Sequence, residues 1–249
     1  WLNEKGFEQA RAVPEVDIDG KIMFYTSDAF SLKNNNRTVR QMRDEQLRWL
    51  DLYKEYGLAV EKAYILTAFG CNFQGEIPLA IVTETARWIV DTFRERKLPL
   101  PRMFLADTTG WANPAEVRRR FGAIREIAPN AKLGRHAHDT RGLGIVNLHA
   151  ALELGVDMFE SSIGGLGGCP FAGHGDHRAA GNVCTEDGVF LCHELGLETG
   201  IDLDALIEAA CLAERIIGRP LYGRVMHSGT LAKFRKPVAN GTAPGQAHG

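Results

Sequence analysis

Between Lys21 and Ser162, apolar segments of strand length alternate with longer segments that each carry one apolar stripe, and few folds accept that pattern. Lys21 to Thr26 is rich in β-branched and aromatic residues and reads as a buried strand ending at Ser27-Asp28. Glu61 to Phe69, Arg102 to Ala106, Lys132 to Asp139 and Asp157 to Ser162 read as the strands that follow. Helices lie between them. After a loop at Asn34-Asn35-Asn36, Thr38 and Gln41 have the spacing of a capping box, and Val39, Met42, Trp49, Leu50 and Tyr53 then recur at near-helical spacing. Val82, Ala86, Ile89 and Phe93 mark a second helix, closed by Pro99 and Pro101. Asn113-Pro114 opens a third, with Val117, Phe121, Ile124 and Ile127 inward, and Gly144 to Leu154 is a fourth. Gly70 to Gly75 reads as loop, and Trp1 to Pro14 as a polar segment with a helical turn around Gly6 to Ala10.

Strands regularly separated by single-stripe helices require a parallel sheet covered by helices. A closed (β/α)8 barrel and a doubly wound open sheet both satisfy that requirement. The dinucleotide form of the second would show Gly-x-Gly-x-x-Gly after its first strand, and the chain has none there. Polar and ionisable residues instead gather just after the C-terminal ends of several strands, as in barrel enzymes. The expectation is an α/β (β/α)8 TIM barrel, incomplete here because about five strands are visible and closure takes eight. Residues 1–231 would form the partial catalytic barrel and 232–249 a flexible tail.

Composition removes other classes. A net charge of −2 with no basic run gives no reason to expect nucleic acid. The longest apolar runs fall far short of the roughly 20 residues that cross a bilayer, and the chain does not open with a signal-peptide profile, so no membrane partner and a cytoplasmic location are expected. The five cysteines are scattered and include no Cys-x-x-Cys, which argues for reduced thiols rather than a disulfide framework or structural zinc.

The chemistry-bearing stretch is Gly134-Arg135-His136-Ala137-His138-Asp139-Thr140. Strand alternation sends His136 and His138 to one face, half of a metal site, although such pairs also occur as ordinary hydrogen-bonded residues. Asp107 ends the preceding strand and is expected to point toward the same mouth, with a turn residue as the alternative. Asp139 reads as a helix cap. Cys169, in the loop Gly164-Gly165-Leu166-Gly167-Gly168-Cys169-Pro170, is the reactive thiol candidate, with a pKa lowered if a metal lies near. Cys184, Cys192 and Cys211 read as small buried hydrophobes. Asn182 offers a side-chain carbonyl that would complete a nitrogen and oxygen shell suited to magnesium or manganese, with a turn role as its alternative. His174, Asp176 and His177 read as part of a solvated lid, hinged by the glycines around them, rather than as a second metal site. No Gly-x-Ser-x-Gly is present to serve a serine hydrolase.

His136-Ala137-His138-Asp139-Thr140-x-Gly142, Ser161-Ser162-x-Gly164-Gly165-Leu166-Gly167-Gly168-Cys169-Pro170-Phe171-Ala172 and Gly181-Asn182-x-x-Thr185-Glu186-Asp187 occur in that order. With them the chain resembles the 3-hydroxy-3-methylglutaryl-CoA lyases, from about Gly6 to Leu231. The wider group, including isopropylmalate and homocitrate synthases, shares the histidines but usually has a Gly-Glu-Arg-like sequence in place of Gly-Gly-Cys-Pro. The resemblance implies that His136, His138 and Asn182 contact a divalent cation, that Cys169 is a catalytic acid/base, and that Asp107 and Glu186 shape the site. It implies an acyl-CoA substrate, retro-Claisen cleavage and a homodimer.

Two departures accompany the likeness. The family's first strand carries Arg-Asp-Gly, supplying a metal carboxylate and a catalytic arginine, and its second a glutamate. Nothing here matches them, so the chain is expected to begin after about three strands, as a fragment. The loop from Cys169 to Asn182 is also longer than in the typical lyase, which leaves the acyl group open. A Claisen-type synthase and an inactive remnant with aggregation-prone open sheet edges are the competing expectations.

Overall fold

The computed structural model describes residues 3–173, 180–232 and 234–235. In chain order the elements are α1 (Glu4–Arg11), β1 (Gly20–Tyr25), α2 (Asp28–Asn35), α3 (Val39–Glu55), β2 (Val60–Leu66), β3 (Gly70–Cys71), β4 (Gly75–Glu76) and α4 (Leu79–Glu95). They continue as β5 (Arg102–Ala106), α5 (Pro114–Ile127), β6 (Leu133–His136), α6 (Gly144–Leu152), β7 (Met158–Glu160), α7 (Thr185–Glu194), α8 (Leu203–Ile217) and α9 (Val225–Ser228). Thr38 and Gln41 form the expected capping box, each side chain accepting from the other's backbone N–H. Asn113 accepts from Glu116 N at 3.0 Å to open α5, with Pro114 in its first turn.

The sheet has the order β1-β2-β5-β6-β7, and every pair in it is parallel. Isolated bridges from Ser162 to Cys184 and from His138 to Asn182 add one more segment beyond β7. Alternation sorts the strand residues into two populations. Ile22, Phe24, Ala63, Ile65, Met103, Leu105 and Leu133 join Val82, Ile89, Val117 and Phe121 of the helices in the main core. Each of the Ile, Leu, Val, Met and Phe side chains among them, when fully buried, stabilises the fold by about 1.5–3 kcal/mol. The other face carries Lys62, Tyr64, Phe104, His136 and Glu160, with Tyr64 stacked on Phe104 at 4.9 Å. Gly134 is required beside Phe104, because a Cβ there would meet the ring at 2.6 Å.

Several elements differ from the sequence reading. Ser27 accepts from Phe30 N and opens α2, so Asn34 and Asn35 are helical and the turn is made by Asn36 in the left-handed region. The stretch expected as loop after β2 folds into the small antiparallel hairpin β3–β4. The strand read through Asp139 stops at His136, where the segment through His138 turns to meet Asn182. Helix α8 adds to the elements expected from sequence, with Asp202 at its N-cap and Gly218 in the left-handed region at its end as ordinary signals. Residues 174–179, with the His174, Asp176 and His177 cluster, and nearly all of the 232–249 tail lie outside the described residues.

The free edge of β1 is partly closed by α3. Gln46 Oε1 accepts from Met23 N at 2.8 Å, and the Tyr53 hydroxyl donates to Lys21 O at 3.0 Å. Both side chains are buried, so the edge is less open than the sequence suggests. Gln46→Leu should therefore strand Met23 N and lower the unfolding free energy by about 1–3 kcal/mol in a urea titration. An unchanged midpoint would mean that Met23 N is satisfied some other way.

Candidate active site

His136 closes β6, and two residues later His138 is anchored on both sides. Val183 N donates to Ala137 O at 3.1 Å and Asp139 N donates to Gly181 O at 2.9 Å. The two imidazoles share a face as expected, with ring centroids 5.0 Å apart and their Nε2 atoms 3.1 Å apart. Asp139 takes the capping role, accepting from Gly144 N at 2.7 Å.

Beneath His136 lies a residue that the sequence reading missed. Glu160 Oε2 is 3.0 Å from His136 Nδ1, while Oε1 accepts from the Tyr64 hydroxyl at 2.5 Å and faces Lys62 Nζ at 3.9 Å. Burial pushes the Glu160 carboxyl up, but the hydrogen bonds to His136 and Tyr64 outweigh it and hold the group below its ordinary range. Burial, reinforced by Glu160, drives the Tyr64 hydroxyl well above its ordinary value. His138 is brought down to about 4, first by burial and then by His136, with partial relief from the Thr108 backbone. Its ring is therefore neutral near pH 7, the form that donates a lone pair to a metal.

Asn182 is held by the glycine-rich segment. Ile163–Gly165 forms a 3-10 turn, and Gly164, Gly165, Gly167 and Gly168 all have positive φ. A Cβ on Gly181 would collide with the carbonyl oxygens of Gly165 and Gly167, and one on Gly168 would lie 2.7 Å from Gly181 Cα. These glycines form a packed cradle. Asn182 Nδ2 donates to Leu166 O at 2.8 Å, whereas its Oδ1 is buried without a hydrogen-bond partner. An orphaned amide oxygen on the residue bridged to His138 fits an oxygen- and nitrogen-preferring divalent cation. The set is incomplete on its own: among the described residues no three His, Cys, Asp or Glu side chains group as a cation site.

The remaining candidates take other positions. Asp107 accepts from Trp111 N at 2.7 Å and Ala112 N at 3.1 Å, and it faces the buried Arg135 at 3.9 Å. Arg135 lies over Phe69, a member of the main core, so this carboxylate belongs to the outer side of the sheet. Asp107 thus follows the turn alternative, because alternation sends Ala106 and His136 inward and the residue after each strand end outward. Burial drives its carboxyl up, with Arg135 and the two N–H groups opposing. Glu186 is fully buried and accepts from Gly164 N with both oxygens at 3.1 Å, so it fixes the root of the glycine cradle. Cys169 packs against the cluster of Tyr25, Phe30, Met42 and Cys71. Burial raises its thiol pKa in the metal-free protein, partly offset by the Phe171 and Ala172 backbone.

The His138 shift has a sign that can be tested in metal-free protein. The folded state resists protonation down to about pH 4 while the unfolded imidazole takes its proton near 6.5. This contribution to stability is complete above pH 6.5 and is lost as pH falls toward 4, by about 3 kcal/mol at most. His138→Gln should flatten that part of the stability curve in thermal denaturation. A slope identical to that of the unsubstituted protein would contradict the assignment.

Known proteins resemble this chain in sequence and in fold. The HMGL-like family model matches residues 2–212. An (R)-citramalyl-CoA lyase of Chloroflexus aurantiacus is 35% identical over 227 residues, covering 91% of this chain and 68% of that protein. The hydroxymethylglutaryl-CoA lyase of Pseudomonas mevalonii is 35% identical over 206 residues, covering 83% of this chain and 64% of the relative. The structure of an HMG-CoA lyase from Acinetobacter baumannii in complex with coenzyme A and 3-methylmalate superposes with a TM-score of 0.74 at 33% identity, over 88% of this chain and 68% of that one. The chain thus spans about two thirds of such relatives, and its five-stranded parallel sheet is part of a TIM barrel. With that match and these motifs, the chain belongs to the HMGL-like family of carbon–carbon lyases.

Proposed function

We propose that this protein is an acyl-CoA lyase that cleaves a 3-hydroxy-3-methylglutaryl-CoA-like thioester to acetyl-CoA and acetoacetate in a metal-dependent retro-Claisen reaction. The observation that carries the reading is the pair of Nε2 atoms 3.1 Å apart, next to an Asn182 whose Oδ1 has no partner. His136, His138 and Asn182 would hold magnesium or manganese, which when bound lowers the pKa of a coordinated tertiary hydroxyl.

The bond changes follow from the substrate. A base removes the hydroxyl proton, the oxygen's electron pair forms the ketone, and the bond to the thioester α-carbon breaks. Its electrons pass into the enolate of acetyl-CoA, which then takes a proton. Cys169 is assigned the donor role. Burial keeps its thiol protonated near neutrality, the state needed to give a proton rather than to remove one. Glu186 acts indirectly, holding the Gly164 turn from which the Cys169 loop departs.

The citramalyl-CoA relative bears on the acyl group, since its named substrate is also a CoA thioester with a tertiary β-hydroxyl. All five cysteines are free thiols, which fits a reducing compartment such as the cytoplasm. Coupled detection of acetyl-CoA from both thioesters tests the reading directly. Turnover should require added magnesium or manganese and should be higher on 3-hydroxy-3-methylglutaryl-CoA. Cys169→Ser should lower kcat by about 10²-fold, and Cys184→Ser should do little. Cleavage that persists in a chelator, or equal losses for the two cysteines, would overturn the mechanism.

A further inference from the structure

The inner face of the sheet holds a polar chain that neither the sequence motifs nor the reaction chemistry accounts for. Glu160 and His136 are register partners on neighbouring parallel strands, so their side chains emerge side by side. A carboxylate can only accept, which places the proton of a neutral His136 on Nδ1 and the lone pair on Nε2. That Nε2 is the atom turned toward His138. Glu160 is itself held on its far side, where Oε1 takes the Tyr64 hydroxyl at 2.5 Å with Lys62 Nζ at 3.9 Å. Both oxygens are therefore engaged, and the carboxylate is not free to swing over as a direct ligand.

We infer that Glu160, braced by Tyr64 and Lys62, is a positioning residue that fixes His136 in the Nδ1–H tautomer and aims its Nε2 lone pair into the cation site. The inference rests on the metal-binding reading only for its second consequence. The first, the tautomer, is a property of the protein without metal. Carboxylate partners of metal-binding imidazoles orient the ring and raise its basicity, and their loss typically weakens metal binding by 10–100-fold.

Long-range 1H–15N NMR on histidine-labelled, metal-free protein in mildly alkaline buffer reads the tautomer without relying on any variant. His136 should show a protonated Nδ1 and an unprotonated Nε2. Glu160→Gln should reverse it. The single amide oxygen is drawn to the Tyr64 and Lys62 side, so the NH2 group faces Nδ1 and forces the proton onto Nε2. Manganese titration followed by electron paramagnetic resonance should then show at least a tenfold loss of affinity. Glu160→Asp, which keeps the acceptor, should retain the original tautomer and part of the affinity. Tyr64→Phe should leave the tautomer in place and lower affinity less than Glu160→Gln.

An Nε2–H tautomer in the unsubstituted protein would overturn the inference, as would an unchanged tautomer and affinity in Glu160→Gln. Should manganese bind to none of these proteins while the tautomer reverses as described, the positioning role stands and the metal reading fails.

Discussion

The two-residue alternation of side chains along parallel strands is the constraint on which the rest of this structure depends. It sends Ile22, Ala63, Ile65, Met103, Leu105 and Leu133 under the helices, and Lys62, Tyr64, His136 and Glu160 to the opposite face. The helix-covered face supplies the apolar burial that holds the sheet together. The other face is thereby free to carry charged and hydrogen-bonding groups without weakening that core. A one-residue slip in β6 would exchange His136 for Arg135, whose guanidinium is fully buried against Phe69 and Asp107. Register and chemistry are in that sense a single property.

A second layer of positioning comes from glycine rather than from charge. Gly181 approaches the carbonyls of Gly165 and Gly167 too closely for any side chain, and this contact delivers Asn182 next to His138. Glu186 ties down the same turn through Gly164 N. In the segment that a composition argument marks as flexible, positive φ angles are matched by close backbone packing.

Much of this arrangement is legible in the sequence, and the exceptions have physical causes. The capping box at Thr38, the stripe of α4 and the shared face of His136 and His138 follow from spacing alone. Asp107 looked like a partner of the histidines because it ends a strand. It is instead the outward residue after Ala106, and its carboxylate closes its own turn. Glu160 was hidden because a single acidic residue at the end of a three-residue strand reads as a boundary. Only the register with β6 reveals its role. Gln46 reads from sequence as one more polar helix residue, and its function of capping Met23 N appears only once α3 lies against the sheet edge. Proton placement on Cys169 depends on burial by Phe30, Met42 and Cys71, which are distant in sequence.

The central claim is that His136 and His138 bind one cation together, in their neutral forms and through nitrogen. X-ray absorption at the manganese K-edge of the loaded protein measures this directly, since imidazole rings give distinctive multiple scattering. The account predicts two imidazole ligands, falling to one in His138→Ala. A manganese shell with oxygen neighbours alone, unchanged by that substitution, would contradict it.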